Sequence, residues 1–398
     1  MRSTTPRLAL LCSLLALAAA ACGGTSPATV TPDGDPGPLS REPLPPADAA
    51  KAEIAMRAID TGDLDQAIGI LSGLRERYPN HHLVVHELGL AYRIQGRPDL
   101  AVELLLPYEQ HLDEQMAAAL GSALDEAGQP MAALETLERA LERFPTSGLL
   151  YSEIGTVLGR AGKLEIALEF WEKGIEVAPS WPSNYLRAAE IYSQSNGRGL
   201  TLIYGEVFRN LEPGSRRSAL VAVLMVETMH AAVEVDPNST PEATRTTVKL
   251  APPMTIAIGG ETSGNPLLAG MPLVNAFELA FGPSLLLATG TGLSLASLYQ
   301  AKQGFLEIWW QPGGLHTAHQ VRLFEWLRQI RDAGHLEAYT YWLYGPAFAD
   351  EFFAWRETHG AELDACLEWL DQHPIHEPPY DGMYPSDQTP PVSTPPQS

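Results

Sequence analysis

Cys22 follows Leu17-Ala18-Ala19-Ala20-Ala21 and precedes Gly23-Gly24. Small side chains stand before it and a flexible glycine pair after it. Two histidine groups have spacings that chemistry can use. His82 and His86, with His81 beside them, stand one helical turn apart, where two imidazoles can hold zinc. No acid follows in an HExxH arrangement, so they read as surface histidines and no metal is expected. His316 and His319 follow Gly313-Gly314 at a helix start, where a hydrolase would use them as acid and base. No third group can be assigned to them, and the hydrolase reading stands as an alternative to a non-enzymatic chain. Gly259-Gly260-Glu261-Thr262-Ser263-Gly264 and Thr289-Gly290-Thr291-Gly292 lack the Lys-Ser/Thr of a phosphate loop and a strand–GxGxxG–helix setting. There is no GxSxG elbow either. No cofactor is expected.

The residues around Cys22 explain its position. Met1 to Arg7 is a short basic segment, and Leu8 to Ala21 is an apolar run of 14 residues. A helix needs roughly 20 residues to span a bilayer, whereas a run this short fits a secretory signal peptide. The signal and its cysteine resemble the lipobox of bacterial lipoproteins. That resemblance implies cleavage before Cys22, a diacylglycerol on its thiol and acylation of the new amino group. Ala19 departs from the usual Leu three residues before the cysteine, and a plain A-x-A secretory site is the alternative. Two or more acyl chains anchor stably where one does not. The resemblance therefore implies a chain lipid-anchored to the bacterial cell envelope, facing the periplasm or cell surface, with Gly23 favouring the outer membrane.

The elements that would position a site come from an internal repeat. Ala67, Ala101, Ala133 and Ala167 are spaced 34, 32 and 34 residues apart, and Thr201 takes the same place after another 34. Five residues before each stands Gly62, Gly96, Gly128, Gly162 and Asn196; twelve after each stands Pro79, Asp113, Pro145, Pro179 and Pro213. Each column has its own physical reason. Gly or Asn accepts the left-handed conformation that ends a helix, a small residue lets two helices approach closely, and Pro stops one helix or opens the next. Apolar positions at helical spacing agree, as in Leu88, Gly89 and Tyr92 or Ile154, Gly155 and Leu158.

This period and these columns resemble the tetratricopeptide-repeat (TPR) family from about Asp48 to Pro213. The resemblance implies an all-α superhelix of about five helical hairpins with a concave groove lined by the first helices. The groove stripe is expected to carry His86, Leu90 and Arg93, then Ser122, Asp125 and Glu126, then Ser152, Thr156 and Arg160, then Leu186, Glu190 and Ser193. Both charges, small polar groups and a few aliphatics suit a protein or peptide partner laid along the groove.

Around the repeats, the domain plan is a signal peptide over 1–21, a disordered Pro/Gly-rich tether over 22–47, the repeats over 48–213, a mainly helical region over 214–373 and a disordered Pro-rich tail over 374–398. In the fourth of these, Ser215 to Val235 reads as one helix. Thr246 to Leu250 and Met254 to Ile258 read as a small hairpin, and helices resume at Pro272, Leu293 and His316 and run on to Trp369. Ala333-Gly334-His335-Leu336 echoes Ala161-Gly162-Lys163-Leu164, and Gly360 keeps the Gly-to-Ala spacing with Ala365. Trp309, Trp310, Trp326, Trp342, Trp355 and Trp369 are six of the eight tryptophans, which raises a glycan- or peptidoglycan-binding alternative. Cys366, in an amphipathic run, reads as a buried inert thiol.

The balance of 26 Lys+Arg against 48 Asp+Glu, a net charge of −22, disfavours nucleic acid, because few cations are there to release phosphate counterions. The reading is a membrane-anchored scaffold or adaptor that binds other proteins.

Overall fold

The regularly spaced glycines make the turns. The computed structural model describes residues 36–195, 197–235, 246–248, 271–288, 293–375 and 378–379, which divide into two compact units between Lys163 and Leu164. In the first unit, α1 (Pro46–Thr61) and α2 (Leu64–Arg77), α3 (His82–Ile94) and α4 (Pro98–Leu105), and α5 (Glu114–Glu126) and α6 (Pro130–Arg143) form three antiparallel hairpins, followed by α7 (Gly148–Arg160). Gly62, Gly96 and Gly128 have φ of 83°, 78° and 77°. The N–H of the next residue in each turn reaches back to a carbonyl of the helix just ended, Asp63 to Ala58, Arg97 to Tyr92 and Gln129 to Leu124. That bond satisfies a helix-end acceptor and fixes the reversal. Gly162 (φ 73°) ends α7 in the same way.

Behind each turn the small residue is fully covered: Ala67, Ala101 and Ala133 are all 0% exposed. The partner helix comes so close that a Cβ on Gly89 would lie 3.3 Å from Leu105, and one on Gly121 would lie 2.5 Å from Leu137. The second helix of the second hairpin is shorter than its counterparts. Pro107 has no N–H to continue it, and residues Leu106–His111 wind as a 3₁₀ turn instead. Asp48, in the first turn of α1, accepts from Arg77 (2.6 Å) and the Tyr78 hydroxyl (2.8 Å) at the end of α2, closing the first hairpin. The Arg77 guanidinium and Tyr78 hold this carboxyl at about 2.

The tether expectation needs correction. Residues 1–35, Cys22 among them, lie outside the described residues, but 36–45 run extended along the turn between α2 and α3. Ser40 pairs with His81 as a parallel bridge, and Leu44 packs against the first hairpin's core. Pro and Gly content marked this stretch as unable to build a core, which is correct, yet it docks on one already built.

In the second unit, α8 (Leu164–Val177) is followed by the fifth hairpin, α9 (Pro182–Ser193) and α10 (Arg198–Leu211). Thr201 fills the alanine column at 0% exposure, and its hydroxyl donates to the Ala189 carbonyl (3.3 Å), which is how a polar residue is tolerated there. Asn196 lies outside the described residues. Helix α11 (Arg216–Ala232) stops three residues before the expected Val235, because Val233–Val235 (β1) pairs antiparallel with Thr246–Val248 (β2), Val233 opposite Val248. Of the hairpin expected between 246–250 and 254–258, Thr246–Val248 is a strand paired with 233–235, and 249–250 and 254–258 lie outside the described residues.

Helices α12 (Leu273–Ala288), α13 (Leu295–Trp309), α14 (Arg322–Asp332), α15 (Leu336–Tyr344) and α16 (Ala349–Gln372) complete the unit. Phe277, Phe305, Trp309 and Phe324 stack in its centre, with ring centroids 4.7–5.7 Å apart. The Gly334 echo is a true hairpin turn between α14 and α15, with φ of 82° and the His335 N–H on the Ile330 carbonyl. The Gly360 echo is not: α16 runs through it, bent at His359. The helix expected from His316 is broken, a 3₁₀ turn at Leu315–Thr317 preceding α14. Part of the expected tail is also bound. Ile375 is 8% exposed, the Trp326 indole donates to the His373 carbonyl (2.8 Å), and Leu323 N–H meets the Pro379 carbonyl (3.3 Å).

The all-α fold of helical hairpins expected from the sequence is the fold observed. The division at 163/164 differs from the limits of 48–213 and 214–373, which mark where the sequence pattern stops; α10 carries the pattern and yet packs with the helices after it.

Close approach at Gly121 yields a measurable expectation. Gly121→Ala forces a methyl into the buried Leu137 side chain and lowers stability by about 1–3 kcal/mol. Gly69→Ala, at an open position on α2, raises it by about 0.5–1 kcal/mol. Urea unfolding of both variants checks the pair.

Candidate functional site

The first helices of successive hairpins in the first unit are tied to one another across one face. Arg93 on α3 makes a bidentate contact with Glu126 on α5, at 3.1 and 2.7 Å. Asp125 on α5 accepts from Arg160 on α7 at 2.6 Å, and the Ser122 hydroxyl donates to Glu153 at 2.6 Å. The pairs bridge about 30 residues each because the repeat places equivalent helix positions side by side. Exposed pairs of this kind contribute about 0–1 kcal/mol each. Their larger effect is to hold charged groups in fixed places on the face.

The structure sorts the twelve expected groove residues. His86, Leu90, Arg93, Asp125, Glu126, Thr156 and Arg160 follow one another on α3, α5 and α7, half-buried or exposed. Ser122 (7% exposed), Ser152 (5%) and Leu186 (7%) are buried, so they offer a partner little surface. At those positions small or aliphatic side chains serve packing between helices. Leu186, Glu190 and Ser193 lie on α9 of the second unit, where Glu190 pairs with Arg187 (2.9 Å) and the Ser193 hydroxyl donates to the Glu190 carbonyl (2.7 Å). The face in the first unit carries Asp113, Asp125, Glu126 and Glu153 against Arg93 and Arg160, so carboxylates are in excess.

His82 and Asp113 were not assigned to the face by the sequence, although Asp113 breaks the proline column. His82 Nε2 donates to Asp113 (2.5 Å), and its ring stacks on His86 with planes 2° apart. His86 donates from Nδ1 to Glu87 (3.0 Å), a contact that raises its pKa. Burial works to raise the Asp113 pKa, but the Met116 N–H, His82 and Arg41 outweigh it and hold the carboxyl below its usual range. The Arg41 guanidinium lies 3.2 Å from His82 Nε2, a poor neighbour for a dication. No metal-holding group of His, Cys, Asp and Glu occurs among the described residues.

The second unit holds a buried polar cluster that sequence reading missed. Lys302 on α13 (4% exposed) donates to Glu206 on α10 (5% exposed) at 2.6 Å. The Tyr339 hydroxyl donates to the same oxygen (2.8 Å) and accepts from Asn210 (2.9 Å). Burial and the Glu206 carboxylate push Tyr339 and Tyr344 well above the usual phenol range. Arg209 donates to the Ser218 and Trp342 carbonyls, and burial brings its guanidinium down to about 10. The adjoining cavity, about 20 Å³ among Phe277, Phe281, Phe305 and Phe324, has room for little more than a water molecule. The cluster links four helices, α10, α11, α13 and α15, and offers no space for a substrate.

The histidines proposed for hydrolysis are placed against aromatic rings. His316 Nδ1 donates to the Trp309 carbonyl (3.0 Å) and its ring lies 4.9 Å from Trp310. His319 Nε2 is buried without a hydrogen-bond partner, and burial lowers its pKa. The tryptophans pack: Trp309 and Trp326 are buried, Trp355 stacks between Tyr341 and His359, and Trp369 stacks on His373. These rings spend their faces on one another, where glycan binding would need them open. Cys366 is buried, and burial pushes its thiol up to about 12. The two glycine stretches at 259–264 and 289–292 lie outside the described residues. No helix among the described residues is long and apolar enough to cross a membrane.

Residues 53–110 and 118–178 match the tetratricopeptide repeat family. No curated protein matches the chain. Among solved structures, a crystal structure of MamA is 25% identical, with a TM-score of 0.32, over 38% of this chain and 90% of that one. YrrB, described as a TPR protein with an unusual peptide-binding site, is 18% identical, with a TM-score of 0.30, over 42% of this chain and 88% of that one. The chain carries tetratricopeptide repeats.

The buried pair supplies a test of its structural role. Lys302→Met leaves Glu206 charged and unpaired and lowers stability by about 3–5 kcal/mol. Adding Glu206→Leu recovers most of that loss, as read by chemical denaturation followed through tryptophan fluorescence. Equal instability of the single and double variants would show the pair itself to be indispensable.

Proposed function

We propose that this chain is a scaffold or adaptor that binds other proteins through the repeat face of its first unit, and that a lipid on Cys22 anchors it to a bacterial cell envelope. The carrying observation is the set of charged side chains on α3, α5 and α7, held in register by the Arg93–Glu126 and Arg160–Asp125 pairs. A surface whose polar groups are fixed before binding loses little entropy when a partner docks. The aromatic rings of the second unit and His316 and His319 are engaged in packing, which favours binding over hydrolysis or glycan recognition. The anchor rests on the sequence pattern: a short apolar run, small residues, Cys22 and a glycine pair. Gly23 after that cysteine favours the outer membrane, with the chain facing the periplasm or cell surface.

Photocrosslinking residues placed at Arg93 and Arg160 in live cells should each capture the same discrete protein, identified by mass spectrometry. Glu103, exposed on α4, serves as the control; identical capture there, or none at either test position, would remove the proposal. Separately, metabolic labelling with an alkynyl fatty acid should mark the wild-type chain. Cys22→Ser should lose the label and leave the membrane fraction, and a label that persists in this variant contradicts the anchor.

A further inference from the structure

The face just described has an occupied end. Residues 36–45, Pro-Gly-Pro-Leu-Ser-Arg-Glu-Pro-Leu-Pro, lie against the turn that leads into α3. Most of the contacts are to backbone. Ser40 N–H donates to the Asn80 carbonyl (2.7 Å) and the His82 N–H donates to the Ser40 carbonyl (2.9 Å). The Asn80 amide donates to the Pro36 carbonyl (3.3 Å), and His81 Nε2 donates to the Glu42 carbonyl (2.8 Å). Main-chain contacts of this kind accept almost any extended sequence. One side chain adds selectivity: Arg41 reaches Asp113 at 2.5 Å, beside His82, whose ring stacks on the groove residue His86.

Two properties make this segment replaceable. Arg41 has a side chain 66% exposed, and Leu44 is the segment's apolar contact with the first hairpin's core, so little buried area holds it down. Past Asp113 the face continues with its excess of carboxylates, which favours a chain carrying further positive charge.

We propose that the turn at 80–82 together with Asp113 is a receptor for an arginine on an extended basic peptide segment, and that residues 36–45 fill it in cis until a partner's segment replaces them. This rests on the reading of the face as a protein-binding surface and names the chemistry of what enters it. The segment thereby sets a threshold. A site closed for most of the time binds more weakly in proportion to the fraction of time it is open.

The test uses the full chain and, as probe, a fluorescein-labelled peptide of the residue 36–45 sequence, read by fluorescence anisotropy. Arg41→Ala weakens the cis occupant, and Ser40→Pro with Arg41→Ala also removes its N–H donor. The probe should bind at least fivefold more tightly to the first variant than to wild type, and more tightly again to the second. Adding Asp113→Asn to either should cost about tenfold in affinity. Asn caps α5 as well as Asp does, so the fold should stay unchanged by circular dichroism. A probe with Ala in place of its arginine should lose a similar factor, and one with Lys in place of its glutamate should gain. Equal binding by wild type and both strap variants, or binding indifferent to Asp113→Asn, overturns the inference and makes 36–45 a fixed part of the first hairpin. Because the probe requires no native partner, that result is separate from crosslinking at Arg93 and Arg160, which tests the broader reading.

Discussion

A missing side chain governs the first unit. At Gly121 there is no room for a methyl group, since Leu137 of the neighbouring helix already fills that space. Gly89 and Leu105 repeat the arrangement one hairpin earlier, more loosely. Helices that approach this closely bury the backbone of one against the side chains of the other, and no single hairpin can do this on both sides. Neighbours must complete the core, so the hairpins stack. The glycine turns then serve this packing: with φ near 80° they reverse the chain within two residues and satisfy the carbonyls left over at each helix end.

What the sequence revealed and what it hid divide along contact range. The columns at Gly62, Gly96 and Gly128 and at Ala67, Ala101 and Ala133 each record a local demand repeated with the period, so they were readable from the sequence. Seven of the twelve expected groove residues lie on α3, α5 and α7 with half-buried or exposed side chains. The misses are contacts with no period. Ser40 on His81, Leu323 on Pro379 and Val233 opposite Val248 join segments through backbone atoms, and backbone atoms leave no trace in residue type. Glu206 and Lys302 were hidden differently. Each looks like an ordinary surface residue in its own helix, and only the meeting of α10 with α13 makes them a pair. Ser122 and Ser152 were assigned to the groove by counting positions, but a small residue on a crowded helix is as easily buried as exposed.

The two units solve the burial of polar groups in different ways. In the first, the ionic contacts ring the hairpin surface and a solvent-facing partner shares most of them, as with Arg93 and Glu126 at 21% and 30% side-chain exposure. Such pairs add little to stability, and their main effect is to keep the charged groups of neighbouring helices in register. In the second, Glu206, Lys302, Tyr339 and Asn210 satisfy one another away from water, and breaking any one bond strands the rest. That core is specified by its hydrogen bonds as much as by its aromatic packing. The polar network and the closely packed rings of Phe277, Phe305 and Phe324 together leave it few alternative arrangements.

Cys366 carries a consequence for the conditions under which such a chain remains intact. Disulfide exchange begins with a thiolate, and a sulfur at 0% exposure whose proton is held to about 12 is almost never one. The fold around α16 is therefore indifferent to whether its surroundings oxidise or reduce. It needs no isomerase to choose a bridge, and oxidants reach that sulfur only after the helix has opened.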